Sequence, residues 1–256
     1  GLIAKMENNR NKKINPFDIV RSFKRTYAES VENNVDFISY RIENLAKRGQ
    51  SEFIKSNPSL LSKFQEIAGG TYKYHKETGI YFQPNSSKTI KLGLGEASSA
   101  VRSLMIIWFW LNYISKPNSL LMIDEPELNL HPENQRRFAR FIAALVNSGI
   151  KVFMTTHSDY IIRELNTLVM LSCDKPHISE VKKAFKYDEY DHIKPEQIAV
   201  YNTTEKLFKI ENTERKKRRG TIEKWDVEDH FGIKIQSFDN EIKEMNNVQD
   251  ALRYGM

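Results

Sequence analysis

Two short stretches of this sequence carry side chains that could do chemistry together. The first is the adjacent carboxylate pair Asp124 and Glu125, which ends the apolar run Leu120-Leu121-Met122-Ile123 and is stopped by Pro126. The second is Thr155-Thr156-His157-Ser158, which ends the β-rich run Lys151-Val152-Phe153-Met154. Adjacent carboxylates can divide two tasks between them. Asp124 can hold a Mg²⁺ ion, usually through water, because that ion keeps several of its waters and needs few protein oxygens. Glu125 can orient and deprotonate an attacking water. An imidazole at His157 can donate to charge on a phosphate. Phosphoryl transfer asks chiefly for positioning and charge stabilisation, and these groups supply both. The plain structural alternative is an Asp-Glu-Pro turn closing a strand beside an unrelated core histidine.

The elements that must position these groups are legible around them. A helix-period segment at 133–147 joins the two runs. Two buried strands that deliver polar groups at their C-terminal ends, with a helix between, form the layout of a parallel nucleotide-binding sheet. Upstream, Gly93-Leu94-Gly95-Glu96-Ala97-Ser98-Ser99 leads into the apolar body Leu104-Met105-Ile106-Ile107-Trp108-Phe109-Trp110-Leu111. A helix apolar nearly all round should be buried, and its N-terminus exposes free N–H groups and a positive dipole end that can bind an anion. Taken alone, Ser98 and Ser99 read as a helix cap, and their position just ahead of the Asp-Glu strand moves the reading towards an anion site.

The flanking regions read differently. From Pro16 a long helical segment carries an apolar stripe through Phe17, Val20, Tyr27, Val31, Ile38 and Leu45, and Gly49 stops it. A second helix at 58–67 closes at Gly69-Gly70. The period then changes to two, so that 71–75 and 79–82 form a hairpin and 89–92 a short strand. After His157, 159–166 reads as a helix and 167–171 as a core strand. Beyond Cys173 the texture turns polar: 198–201 and 207–210 suggest a small hairpin, and 238–252 a closing amphipathic helix. Arg215-Lys216-Lys217-Arg218-Arg219 is the densest basic run, suited either to a solvated loop or to phosphate contact.

Composition sets outer limits. A chain of 256 residues allows one large domain or a domain with an appendage. The single cysteine excludes a disulfide framework and suits a reducing compartment, here expected to be the cytoplasm. No apolar run approaches the roughly 20 residues needed to cross a bilayer, so no membrane partner is expected. The first residues lack the apolar segment of a secretion signal. A formal net charge of +6 is compatible with DNA but too small to imply it.

With these residues on the page, the central stretch resembles ABC-type ATPases. LLMIDEPE is similar to their Walker B strand with its catalytic glutamate. Thr156-His157-Ser158 resembles their histidine switch, with His157 33 residues after Asp124 (157 − 124). Ser98-Ser99-Ala100-Val101-Arg102 resembles a degenerate signature motif. Glu127-Leu128-Asn129-Leu130-His131-Pro132 stands where the family has its D-loop, with His131 where many relatives carry an aspartate. The DEPE…LHP and TTHS spelling is similar to the OLD-like AAA-family ATPases of bacterial defence, and more narrowly to the ATPase subunit of PARIS-type anti-phage systems.

That resemblance implies a fold and a set of roles. The fold is α/β: the C-terminal part of an ABC-type ATPase head, with a helical arm before it and a small α+β tail after it. The corresponding domains are 1–68, 69–175 and 176–256. ATP and Mg²⁺ are the implied cofactors, with Asp124 as metal ligand, Glu125 and His157 as catalytic groups, and Ser98, Ser99, Arg102, Asn129 and His131 as nucleotide-contacting residues. ATP would lie at a head-to-tail interface with a second copy of the chain, where Ser98 meets its phosphate. Further implied partners are a toxin or nuclease effector subunit and DNA. A nucleotide-clamped scaffold that traps an effector, and a DNA-binding clamp, stand as alternative functions. No G-x-x-x-x-G-K-[ST] phosphate-binding loop occurs in the sequence. The chain also begins without Met. It is therefore expected to be the C-terminal portion of a longer ATPase, and inactive alone.

Overall fold

The computed structural model describes residues 29–209, 216–228, 232–233, 247–250 and 252. The chain divides into two units, Gly1–Arg48 and Gly49–Met256. In the first, helix α1 (Glu29–Asp36) passes through a π-turn, Phe37–Arg41, into α2 (Ile42–Arg48), and Phe37 and Ile42 are buried. Gly49 follows at φ 83°, a left-handed position that glycine takes without a Cβ clash, so the helix stops where the sequence suggests. The expected apolar positions Phe17, Val20 and Tyr27 lie outside the described residues.

The larger unit opens with α3 (Glu52–Ser56) and α4 (Pro58–Ala68). The Ser51 hydroxyl caps α3 by accepting from the Ile54 N–H at 3.2 Å, and Pro58 sits in the first turn of α4, where a missing N–H costs nothing. Gly69 ends α4 in the left-handed conformation. An antiparallel hairpin, β1 (Gly70–His75) and β2 (Gly79–Pro84), follows, with the two-residue β3 (Leu92–Gly93) beside β2. Here 89–91 is not strand as expected. The Ser87 hydroxyl accepts from the N–H groups of Thr89 and Ile90, tying that backbone into a turn that competes with the ladder.

The central elements are α5 (Ser99–Tyr113), β4 (Leu120–Asp124), α6 (Pro132–Asn147), β5 (Lys151–Thr155) and α7 (Asp159–Met170). Strands β4 and β5 pair in parallel, in register from Leu120↔Lys151 to Asp124↔Thr155. Of the expected strand at 167–171, residues 167–170 are instead the end of α7 and Leu171 follows as its C-cap. Ile161, Leu165, Leu168 and Val169 recur at helical spacing and are all buried, so the apolar residues that suggested a strand line one helix face. That face meets Ala139 and Ala143 of α6 in a core that also holds Leu171, Ile193 and Ile233. Arg136 and Arg140 of α6 both reach the buried carboxylate of Glu164 on α7, at 2.6 Å each.

An aromatic cluster joins α4, the hairpin, α5 and α6. The Phe64 ring meets Phe141 edge-on at 5.1 Å and lies 6.0 Å from Trp108. Tyr72 donates its hydroxyl to the Val101 carbonyl, while the Trp108 indole donates to the Tyr72 carbonyl at 3.1 Å. Burying a tyrosine in this way disfavours its charged form and pushes the Tyr72 pKa up.

Beyond α7, helix α8 (Ile178–Ala184) and a short 3₁₀ turn, Pro195–Gln197, precede a long antiparallel ribbon of β6 (Val200–Lys209) and β7 (Lys216–Trp225). The sequence suggested two short strands folding on each other around Thr203-Thr204-Glu205. Val200–Lys209 is one continuous strand, and its partner, Lys216–Trp225, takes in 216–219 of the basic run. The alternation was hidden because most of this ribbon is exposed on both faces, so neither face had to be apolar. Short strands β8 (Val227–Glu228) and β9 (Gly232–Ile233) close the described fold. Most of the expected helix at 238–252 lies outside the described residues. Among the described residues no helix is long and apolar enough to cross a membrane.

Candidate functional site

Parallel pairing of β4 with β5 places Asp124 opposite Thr155, so both loops that hold candidate site residues leave the sheet at the same end. The Thr155 hydroxyl donates to Asp124 Oδ1, and the Glu125 N–H donates to the Thr155 carbonyl at 3.1 Å and its hydroxyl at 3.2 Å. These bonds hold Glu125 at φ 45°, a left-handed conformation that is uncommon for a residue with a side chain. Such strain, of order 1–3 kcal/mol, persists where surroundings over-determine it and concentrates at functional positions. The turn brings Glu125 Oε1 to 3.5 Å from His157 Nε2. His157 is 86% exposed and Glu125 37%, so both present polar atoms to solvent beside Asp124.

Glu127 contacts this group, whereas its sequence position suggested a charge that simply favours the following helix. Its carboxylate accepts from the His157 N–H at 2.6 Å and from the Thr156 hydroxyl at 2.9 Å. It thereby clamps the loop after β5 to the loop after β4. Ser158 then caps α7 by accepting from the Ile161 N–H at 3.2 Å. Nothing in the spacing of Glu127 could reveal this contact, because its partners lie about 30 residues away and only the parallel pairing juxtaposes them.

The remaining predicted residues fall in two other places. Asn129, at φ 67°, and His131 are exposed on the connection to α6, where His131 caps the helix with Nδ1 accepting from the Glu133 N–H at 3.4 Å. Ser98 caps α5, its hydroxyl accepting from the Val101 N–H at 3.3 Å, and Ser99 occupies the first turn. Arg102 folds back over that turn, donating to the Ala97 carbonyl at 2.5 Å and to the Ser99 hydroxyl at 3.1 Å. It thus secures the helix start. Among the described residues no hydrogen bond or ion pair links the Ser98–Ser99–Arg102 group to Asp124, Glu125 or His157.

The donor set also constrains the metal. Among the described residues no three His, Cys, Asp or Glu side chains gather into a protein-only cage. One exposed carboxylate beside a threonine hydroxyl fits a hydrated Mg²⁺ ion that takes its other ligands from phosphate and water.

The two faces of the parallel pair differ sharply. Leu121 is buried, yet Leu120, Met122 and Phe153 are 56%, 67% and 55% exposed. These three share a face, and that face ends in Asp124 and Thr155. A parallel sheet is ordinarily covered on both sides, so an apolar face left open is unusual.

No curated protein matches the chain. The chain is similar, at 13% identity, to a solved structure described as structural biochemistry of ATP-driven dimerization and DNA stimulated activation of SMC ATPases. The alignment covers 77% of this chain and 95% of that one, with a TM-score of 0.34, a likeness too slight to support conclusions about this protein. The AAA ATPase domain family, by contrast, matches residues 4–162, which is more than half of the chain and includes Ser98, Asp124, Glu125 and His157. The chain therefore belongs to the AAA ATPase domain family.

Proposed function

We propose that this chain carries the hydrolytic half of an ATP site that is completed by a phosphate-binding segment outside the given sequence and by a second copy of the chain. The observation that carries the reading is the convergence of Asp124, Glu125 and His157 at one end of the β4–β5 pair, with Glu125 and His157 3.5 Å apart. Asp124 would hold hydrated Mg²⁺, which supplies charge neutralisation at the phosphates when bound. Glu125 orients the attacking water and takes its proton. His157 donates to the terminal phosphate as charge shifts within it. Ser98 and Ser99, which form no hydrogen bond with this group among the described residues, suit a phosphate bound on a partner copy, arriving at the N-terminus of α5. Asn129 and His131 would lie along the same interface.

The open apolar face of β4 and β5 supports the need for another segment. A strand and helix carrying a phosphate-binding loop would bury Leu120, Met122 and Phe153 and bring the loop to Asp124. The resemblance to OLD-like ATPases extends the reading to bacterial defence or genome maintenance, with ATP turnover coupled to conformational change or to release of a toxin or nuclease effector. Glu125→Gln in the protein that carries this sequence tests the catalytic core. Hydrolysis should fall at least ~100-fold, while ATP binding persists and the dimer lives longer. A variant that hydrolyses ATP as the parent does would remove Glu125 from the reaction. Tight ATP binding by the 256-residue chain alone would show that no further segment is needed.

A further inference from the structure

We propose that the β6–β7 ribbon is a binding element for duplex DNA, an inference that rests on the ribbon's own charge and geometry and stands whether or not the ATP site works as proposed. At its base, Val200 and Trp225 pack against the core formed by α6 and α7. Farther out, every residue at 205–209 and 216–220 is exposed. These ten positions hold Lys206, Lys209, Lys216, Lys217, Arg218 and Arg219 against a single carboxylate, Glu205.

The register makes that charge costly to the isolated protein. Lys206 stands directly opposite Arg219, and Lys209 directly opposite Lys216. Like charges facing each other across an antiparallel pair destabilise it. Among the described residues internal counter-charge is scarce: Glu223 pairs with Lys206, and Glu205 lies 3.6 Å from Arg218. Lys209, Lys216, Lys217 and Arg219 form no ion pair with another described residue. A bound polyanion would supply counter-charge that the described residues do not.

Shape selects among polyanions. Five residue pairs extend about 15–17 Å, and the strands lie about 4.8 Å apart. Such a ribbon fits the major groove of B-form DNA, which is about 12 Å wide. Strand alternation puts Lys206, Lys217 and Arg219 on one face with Phe208, and Lys209, Lys216 and Arg218 on the other with Leu207. Cations on both faces can meet phosphates on both walls of a groove. A flat anionic surface, such as a membrane or an acidic protein face, would engage only one of them. The major groove of A-form RNA is too narrow and deep to admit the ribbon.

Fluorescence anisotropy with a labelled duplex of roughly two helical turns and the full chain tests this. Binding should weaken steeply with salt, with a slope of log K against log salt of about −3 to −5, since each contacted phosphate contributes about −0.9. K217Q/R218Q/R219Q should weaken binding at least ~10-fold and flatten that slope by about 2–3. Its melting temperature should hold or rise, because repulsion is relieved. K217R/R218K/R219K, which keeps the charge, should bind like the parent and so separates charge from folding. The proposal is overturned by a flat salt slope, by unchanged affinity in the neutralised variant, or by loss of binding in the charge-keeping one. Equal or tighter binding of duplex RNA, phosphatidylserine vesicles or poly-glutamate would overturn it as well.

Discussion

Glu127 shows how one carboxylate can set the geometry of a loop about 30 residues away in sequence. It holds the His157 N–H and the Thr156 hydroxyl, so it fixes the loop that carries the imidazole beside Glu125. Removing it as Glu127→Ala frees that loop, and hydrolysis by the protein carrying this sequence should drop ~10–100-fold in kcat with KM nearly unchanged. Glu127→Gln keeps an acceptor for the His157 N–H and should recover much of the loss. If Glu127→Ala turns over ATP at the parental rate, the clamp has no part in catalysis. Ser158 offers a contrast in the same loop: as the cap of α7, its replacement by alanine should cost about 1 kcal/mol of stability, read as a lower denaturant midpoint.

At the scale of elements, the β1–β2 hairpin is fitted closely against its own neighbours. A Cβ at Gly70 would fall inside contact distance of the Gln83 carbonyl oxygen and the buried Phe82 ring. Both are held in place, the first by the ladder and the second by an edge-on contact with Tyr72 at 5.0 Å. Gly70→Ala should therefore destabilise the fold by about 1–3 kcal/mol through overpacking, visible in urea unfolding, whereas an equal melt would mean that the hairpin shifts freely. The ribbon of β6 and β7 lies at the opposite extreme, since its outer half packs against nothing described. Its stability should respond to charge rather than to volume.

Across the larger unit, Lys63 of α4 ties the helical segment to the polar region after α7. Its ammonium donates to Asp188 at 2.7 Å and to the buried Asp191 at 2.9 Å. Burial alone would lower its pKa, but the hydrogen bonds and charges of the two aspartates outweigh that and hold it above the ordinary 10.5. A raised folded value means that protonated Lys63 stabilises the fold below the unfolded value, and that this contribution disappears as pH rises through the folded one. The parent should therefore lose melting temperature above pH 10.5, and Lys63→Met should lose less of it there. At neutral pH that variant, which leaves Asp191 short of a donor, should cost about 1–3 kcal/mol. An identical pH profile in the two proteins would show that the link carries no stability. Asp188 and Asp191 thus have a structural use.

The central stretch was legible from sequence because its signals are local. An apolar run stopped by Asp-Glu-Pro, a helix period and a second β-rich run each fall within about a dozen residues, and β4, α6 and β5 form where those patterns lie. The identity of the residues at the strand ends was equally plain. What the sequence could not express was any fact that depends on which distant segments meet. The role of Glu127, the partner of β6, the helical fate of 167–170 and the open face of Leu120, Met122 and Phe153 are all of that kind. An exposed strand has no need of an apolar alternation, and a helix face and a strand face can be written with the same leucines and valines. Only the packed chain decides between them, because the choice is made by burial against other elements and not by the residues alone.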